Sequence, residues 1–371
     1  MTARADRILL VLPSLERGGG ERVLLQLAGS FVAAGREVHV AALLGGGPLR
    51  SDLPGTAVLH ELVDTGHAVK GGALARRAFP GLASLMREVK PHAVLSTMTG
   101  TNLLTVLACM RTHLRARVVL REAASLVNAK SILKRHAMRW LYRRADALIA
   151  VSTGVAEDLR GLGLAEDRIH VIHNPVDASR LRHLADVGPL LVLQDKLPYV
   201  VSIGRLVEQK DQQNLLRAYA LSALRGSHHL VIVGEGDQRA VLERSARDLG
   251  IADRLVLTGA LDNPYRVLAE ASLHALSSRW EGYPNVLLEA LALGVPVVST
   301  DCPFGPREML NDGRYGRLVP MGDPVALARA MEEELVRPSV DIENVIAAHG
   351  PRKIASLYLN VLDEQCAVSQ S

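Results

Sequence analysis

Two glutamates, Glu281 and Glu289, stand with seven residues between them in the stretch EGYPNVLLE. Leu287, Leu288, Leu291 and Ala292 recur at helical spacing, and the Pro284-Asn285 step marks the start of that helix. Glu281 therefore falls in a turn ahead of the helix, and Glu289 about one turn inside it. The first amides of a helix have no internal partner and hold the positive end of its dipole, so Asn285, Val286 and Leu287 offer a place for phosphate. A carboxylate one turn further in repels phosphate but accepts hydrogen bonds from vicinal hydroxyls such as those of a ribose. The chemistry this suggests is recognition of a nucleotide sugar: phosphate on amides, ribose on Glu289, a second polyol near Glu281. The alternative is an ordinary helix with one surface acid and one turn acid.

A second group of residues fits the same chemistry. In Gly204-Arg205-Leu206-Val207-Glu208-Gln209-Lys210-Asp211, Arg205 offers a planar fork and Lys210 a point charge, together able to neutralise a diphosphate without a metal ion. The chain contains no Asp-x-Asp pair of the kind that holds a divalent ion on a diphosphate. Its three cysteines, Cys109, Cys302 and Cys366, form no C-x-x-C pair. Neither a metal nor a cofactor is expected, and a reducing cytoplasm is the default compartment. Gly18-Gly19-Gly20 after Arg17, and Gly234-Glu235-Gly236, are turns where a ligand can approach backbone, although tight connections alone would also use glycine.

These residues need strands to position them. Arg7 to Leu12, Glu37 to Leu43, His92 to Ser96, Val118 to Arg121, Ala147 to Ser152 and Arg168 to Ile172 read as strands alternating with helical patterns. A second series follows at Tyr199 to Ile203, Leu230 to Val233, Leu255 to Leu257, Leu273 to Leu276 and Val297 to Ser299. Such alternation predicts doubly wound parallel sheets with ligands at the carboxyl ends of the strands. The Gly204 to Asp211 loop lies at one such end. Thr99, Asn102, Arg121 and Glu122 lie near others, and Ser152 reads as the N-cap of the helix through Leu159.

A chain of 371 residues suggests two domains. Aromatics at 3% argue against stacking platforms for single-stranded nucleic acid, and a net charge of +4 fits an anionic substrate or membrane surface better than a nucleic acid. No apolar run is long enough to span a membrane, and Ile8 to Leu12 is too short for a signal segment. From Lys130 to Arg144, Leu133, Ala137, Trp140 and Leu141 make an apolar stripe among dense positive charge, a pattern that can lie on an anionic membrane.

The Glu-(x)7-Glu arrangement, the G-R-L-x-x-x-K segment and D-C-P-F-G-P-R-E together resemble glycosyltransferase family 4, the retaining transferases of the GT-B fold. The resemblance covers nearly the whole chain and is strongest from Tyr199 to Glu308. It implies two Rossmann-like domains facing across a cleft: residues 1–182, a linker at 183–198, residues 199–344, and a terminal helix at 345–362 packing back on the first. It implies a nucleotide-sugar donor, UDP-linked, with Glu281, Arg205 and Lys210 catalytic. Gly19, Gly20, Gly234, Glu235, Tyr283, Asn285, Val286, Leu287 and Glu289 would bind the donor. Thr99, Asn102, Arg121 and Glu122 would lie on the acceptor side; many relatives carry a His there, and this chain has Arg-Glu instead. The acceptor implied is a polyprenyl-linked or envelope glycan at the inner membrane face. Transfer to a soluble acceptor such as an aminocyclitol, a UDP-sugar 2-epimerase of the same fold, and a protein that only binds its ligand are the alternatives.

Overall fold

The computed structural model describes residues 4–16, 18–64, 71–124, 132–189, 191, 193, 197–337 and 340–364. Arg17, Lys130 and Cys366 lie outside them, as does part of the expected linker. Two compact units are present: Met1–Pro175 with Pro351–Ser371, and Val176–Gly350.

The first unit contains β1 (Arg7–Leu12), β2 (Glu37–Ala42), β3 (Val58–Glu61), β4 (Ala93–Thr97), β5 (Arg117–Glu122), β6 (Ala147–Ala150) and β7 (Ile169–Val171). They form one sheet in the order β3-β2-β1-β4-β5-β6-β7, with parallel neighbours throughout. Between them run α1 (Gly19–Ala33), α2 (Gly72–Val89), α3 (Thr99–Thr112), α4 (Ile132–Tyr142) and α5 (Thr153–Gly161). The second unit opens with α6 (Ala178–Val187). Its strands are β8 (Tyr199–Ile203), β9 (His229–Val233), β10 (Leu255–Gly259), β11 (Leu273–Leu276), β12 (Val297–Thr300) and β13 (Arg317–Val319). Their order is β10-β9-β8-β11-β12-β13, again parallel throughout. Its other helices are α7 (Gln212–Leu221), α8 (Arg239–Asp248), α9 (Tyr265–Ala269), α10 (Asn285–Ala292), α11 (Pro306–Met309), α12 (Pro324–Leu335) and α13 (Glu343–Ala348), and α14 (Pro351–Asp363) returns to the first unit.

Central strands are unbroken apolar runs because a parallel sheet is covered on both faces. In β1 every residue after Arg7 is buried. In each sheet the order reverses direction once, between β1 and β4 and between β8 and β11. Loops leaving the carboxyl ends of those pairs diverge and open a crevice at that switch point. The loops after β8 and β11 are the ones that hold Arg205, Lys210 and Glu281.

Three expectations change. The helix Ala178–Val187 stands where the first domain was expected to give way to the linker, and it belongs to the second unit. The single terminal helix is two: α13 stays with the second unit and, after the break at Gly350-Pro351, α14 packs in the first. The apolar stripe of α4 is also displaced. Leu141 is buried as expected, joined by Met138 and Tyr142, whereas Ala137 and Trp140 face outward among Arg135, Arg139, Arg143 and Arg144, and the Leu133 side chain lies outside the described residues. Ser152 caps α5 as expected, its side chain accepting from the Val155 amide.

Candidate functional site

The site is built at the switch point of the second sheet, where the loops after β8 and β11 are bonded to each other. Lys210 Nζ donates to Glu281 Oε1 at 2.6 Å, and Ser278 Oγ donates to the same oxygen at 2.6 Å. Ser277 Oγ donates to the Lys210 carbonyl at 2.8 Å and Gln209 Nε2 to the Trp280 carbonyl at 2.8 Å. Arg279 reaches back to Asp211 and Glu208 at 3.0 and 3.1 Å. Glu281 is buried, and it is this set of bonds that allows a carboxylate to stand there. His274 lies fully buried on β11 with Lys210 nearby; burial first, then the Lys210 charge, push its pKa down to about 3. Burial pushes the Cys302 thiol up to about 12, with the Glu281 charge adding to it. Both are neutral walls around the ion pair.

Arg205 is exposed and makes no ion pair among the described residues. Its loop is clamped from below by the loop after β9. Leu206 donates its amide to the Glu235 carbonyl at 2.8 Å, and a Cβ on Gly234, at φ +150°, would stand 1.9 Å from the Gly204 oxygen. Gly234 is thus required by backbone apposition. Glu235 points to solvent and pairs with Arg239 at 2.8 Å. Through these backbone contacts Gly234 and Glu235 hold the loop that carries Arg205.

α10 begins at Asn285 with Pro284 as its cap and no side-chain capping bond. Asn285 and Val286 are half-buried at that end. The Leu287 amide already donates to the Pro284 carbonyl at 2.9 Å, because the first turn is tight, so it is not among the amides left for phosphate. Glu289 is half-buried, and Tyr265 Oη donates to its Oε1 at 3.3 Å. Tyr283 is buried with its hydroxyl on His349 at 2.6 Å, which makes its side chain internal. Sequence reasoning missed His349 and gave no role of their own to Ser278, Gln209 and Tyr265. Only Ser278, just past the end of β11, gave a positional signal.

The candidates of the first unit are brought together differently. Arg121 is fully buried and donates to Tyr358 Oη at 3.0 Å, Thr97 Oγ1 at 2.8 Å and Asn174 Oδ1 at 2.5 Å. Glu122, also buried, accepts from Tyr142 Oη at 2.7 Å and Thr99 Oγ1 at 3.1 Å, and burial raises its pKa. Asn102 accepts from Ser96 and donates to the Arg121 carbonyl. The expected acceptor-side set is corrected by its burial: Asn102, Arg121 and Glu122 are an internal network, and Thr99 is half-buried at its rim. Gly19 and Gly20 open α1, with Gly20 facing Arg121 and Thr97, while the Glu21 carboxylate folds against Gly18.

With this geometry in view, the chain can be set beside known proteins. Residues 17–180 match the family model described as Glycosyltransferase Family 4, and residues 197–336 match that described as Glycosyl transferases group 1. The chain belongs to glycosyltransferase family 4. Among relatives of this family 4 chain, an N-acetylgalactosamine-N,N'-diacetylbacillosaminyl-diphospho-undecaprenol 4-alpha-N-acetylgalactosaminyltransferase of Campylobacter jejuni is 31% identical over 211 residues, 56% of each chain. The lipopolysaccharide core biosynthesis glycosyltransferase LpsE of Rhizobium meliloti is 32% identical over 236 residues, 60% of this chain and 65% of that one. The match thus spans between about half and two-thirds of these curated relatives' length. The crystal structure of Anabaena HepE in complex with UDP and glucose superposes with a TM-score of 0.72 at 20% identity, covering 96% of both chains. The fold is GT-B, with two parallel Rossmann-like sheets.

Two outcomes follow from the burial just described. Lys210→Ala leaves the Glu281 carboxylate, 8% exposed, without its cation, and is expected to destabilise the second unit by about 3 kcal/mol. Arg205→Ala is expected to stay within about 0.5 kcal/mol of the parent. Urea unfolding compares them, and equal losses would contradict the assignment. For Glu122, a raised folded pKa means that the folded state holds its proton more tightly than the unfolded chain. Its contribution is present at acid pH and is lost as pH rises above the ordinary carboxylate range. Glu122→Gln is expected to flatten that dependence in a melting series across pH, and an unchanged slope would refute the raised pKa of Glu122.

Proposed function

We propose that this protein is a retaining glycosyltransferase moving a sugar from a UDP-sugar to a hydroxyl of a polyprenyl-linked or other envelope glycan. The observation that carries the reading is the Lys210-Glu281 contact at 2.6 Å beside the start of α10. A sugar and its leaving diphosphate share one anomeric oxygen, so the group that neutralises the phosphate and the one that holds the sugar hydroxyls must be neighbours. Lys210 retains further N–H donors for the phosphate. Glu281 Oε1 already takes two bonds, which leaves Oε2 to accept from the sugar. Arg205 and the first amides of α10 add positive charge as the diphosphate departs, and no divalent ion is required in this reading. Glu289, held by Tyr265, takes the ribose hydroxyls.

In the reaction, the bond from the anomeric carbon to the phosphate oxygen breaks with its electron pair left on the diphosphate. The acceptor oxygen bonds to the same face of that carbon, and its proton passes to the departing phosphate. The acceptor class draws support from the names of the Campylobacter and Rhizobium relatives, and the donor from the UDP and glucose of the HepE complex. Calorimetry with UDP tests the site: Glu289→Gln should lose roughly 1.5 to 3 kcal/mol of binding. Glu281→Gln should keep UDP affinity and lose transfer. Equal loss in both variants, or none at Glu289, would overturn the assignment.

A peripheral association with anionic membrane belongs to the same proposal. Residues 72–144 hold 14 of the chain's 43 Lys and Arg but two of its 39 Asp and Glu. The layer of α2, α3 and α4 exposes Leu107, Met110 and Trp140, the last under the Arg144 guanidinium at 3.6 Å. No helix among the described residues is long and apolar enough to cross a membrane. Replacing Arg135, Arg139 and Arg143 by Gln should weaken sedimentation with anionic vesicles by roughly a hundredfold, at about 1 kcal/mol each. Failure of the parent protein to sediment with such vesicles at low salt would favour a soluble acceptor.

A further inference from the structure

Tyr283 stands two residues after Glu281 and immediately before Pro284, the cap of α10. It is fixed from two sides. Gly305, at φ +94°, closes on its backbone, with a Cβ position 3.1 Å from Tyr283 Cα and 2.6 Å from Pro284 Cδ. On the other side its hydroxyl meets His349 Nε2 at 2.6 Å. His349 Nδ1 lies 2.7 Å from the Val345 carbonyl, an oxygen that can only accept, so Nδ1 holds the proton and Nε2 is left to accept from the Tyr283 hydroxyl. Burial raises the pKa of that hydroxyl and keeps it a donor.

The position of His349 in the chain gives this contact its reach. One residue later, at Gly350-Pro351, the chain leaves the second unit for α14. The His349 carbonyl accepts from the amide of Val176, the residue at which the chain enters that unit, at 2.8 Å. A bonded path therefore runs from the turn of Glu281, through one phenol and one imidazole, to both places where the chain passes between units.

We propose that His349 is a positioning residue for the donor loop, acting through Tyr283, and that this contact links occupation of the loop to the two chain passages. The inference rests on the donor-site reading above. A hydroxyl-to-imidazole bond at this point restricts where Glu281 and the start of α10 can stand. Any shift of that loop on binding a nucleoside diphosphate is transmitted to His349 and hence to the Val176 amide.

Hydrogen exchange with UDP as the probe separates the inference from its foundation. In the parent protein UDP is expected to slow exchange at residues 281–287 and also at 344–350 and 172–178. In Tyr283→Phe and in His349→Leu the first protection is expected to persist while the other two disappear, and turnover to fall about tenfold. His349→Gln restores an acceptor for the hydroxyl and is expected to recover both. A purely structural contact would lower the melting temperature of these variants without altering which segments respond to UDP. Protection at 281–287 alone in the parent, or undiminished protection at the passages in both Tyr283→Phe and His349→Leu, would overturn the link and leave the donor site standing. Protection nowhere would overturn the donor site and the link together.

Discussion

The candidate site of the second unit is organised around the ion pair of Lys210 with the buried Glu281. Lys210 and Glu281 come from loops that the parallel sheet sends apart at its switch point, and their bond spans the crevice that the divergence creates. Removing two charges from water is costly, and the pair persists because Ser278 bonds Glu281 within its own loop while Ser277, Gln209 and Arg279 bind the two loops together around it. Such a cluster exceeds what the fold alone needs. An apolar pair would close the crevice at lower cost, so the charge is best understood as serving a ligand that is itself charged on one side and hydroxylated on the other.

The first unit handles buried charge in another way. Arg121 is satisfied by a tyrosine, a threonine and an asparagine, and Glu122 by a tyrosine and a threonine, with no opposite charge bonded to either side chain among the described residues. Successive residues of a strand point to opposite faces, so these neighbours in sequence are separated in space by the sheet. Their partners come from β4, α3, α4, α14 and the turn at Asn174. The network thereby ties the returning C-terminal helix to the centre of the first sheet.

How much of this was legible in the sequence differs from element to element. The central strands were readable because burial on both faces demands uninterrupted apolar residues, as in β1 and β9. The edge strands β3 and β13 were not, since VLHE and RLV are short and largely half-exposed or exposed. Arg205, Lys210 and Glu281 could be picked out as candidates because charged residues after strand ends have few structural reasons to be there, and Glu289 by its spacing from Glu281 in α10. At Gly234 a close backbone approach calls for glycine, and the Gly204 carbonyl is one such neighbour. Arg121 and Glu122 misled for a related reason: a strand end fixes a position but does not say whether later helices cover it. His349 gave no signal, because its partner Tyr283 is distant in sequence.

The most direct test of the central claim is a crystal structure of the protein with UDP bound. The account predicts the β-phosphate within hydrogen-bonding distance of Lys210 Nζ and the Arg205 guanidinium, near the start of α10, with the ribose hydroxyls on Glu289. UDP seated away from the β8 and β11 loops, or phosphates bridged by a metal ion with Lys210 and Arg205 uninvolved, would contradict it.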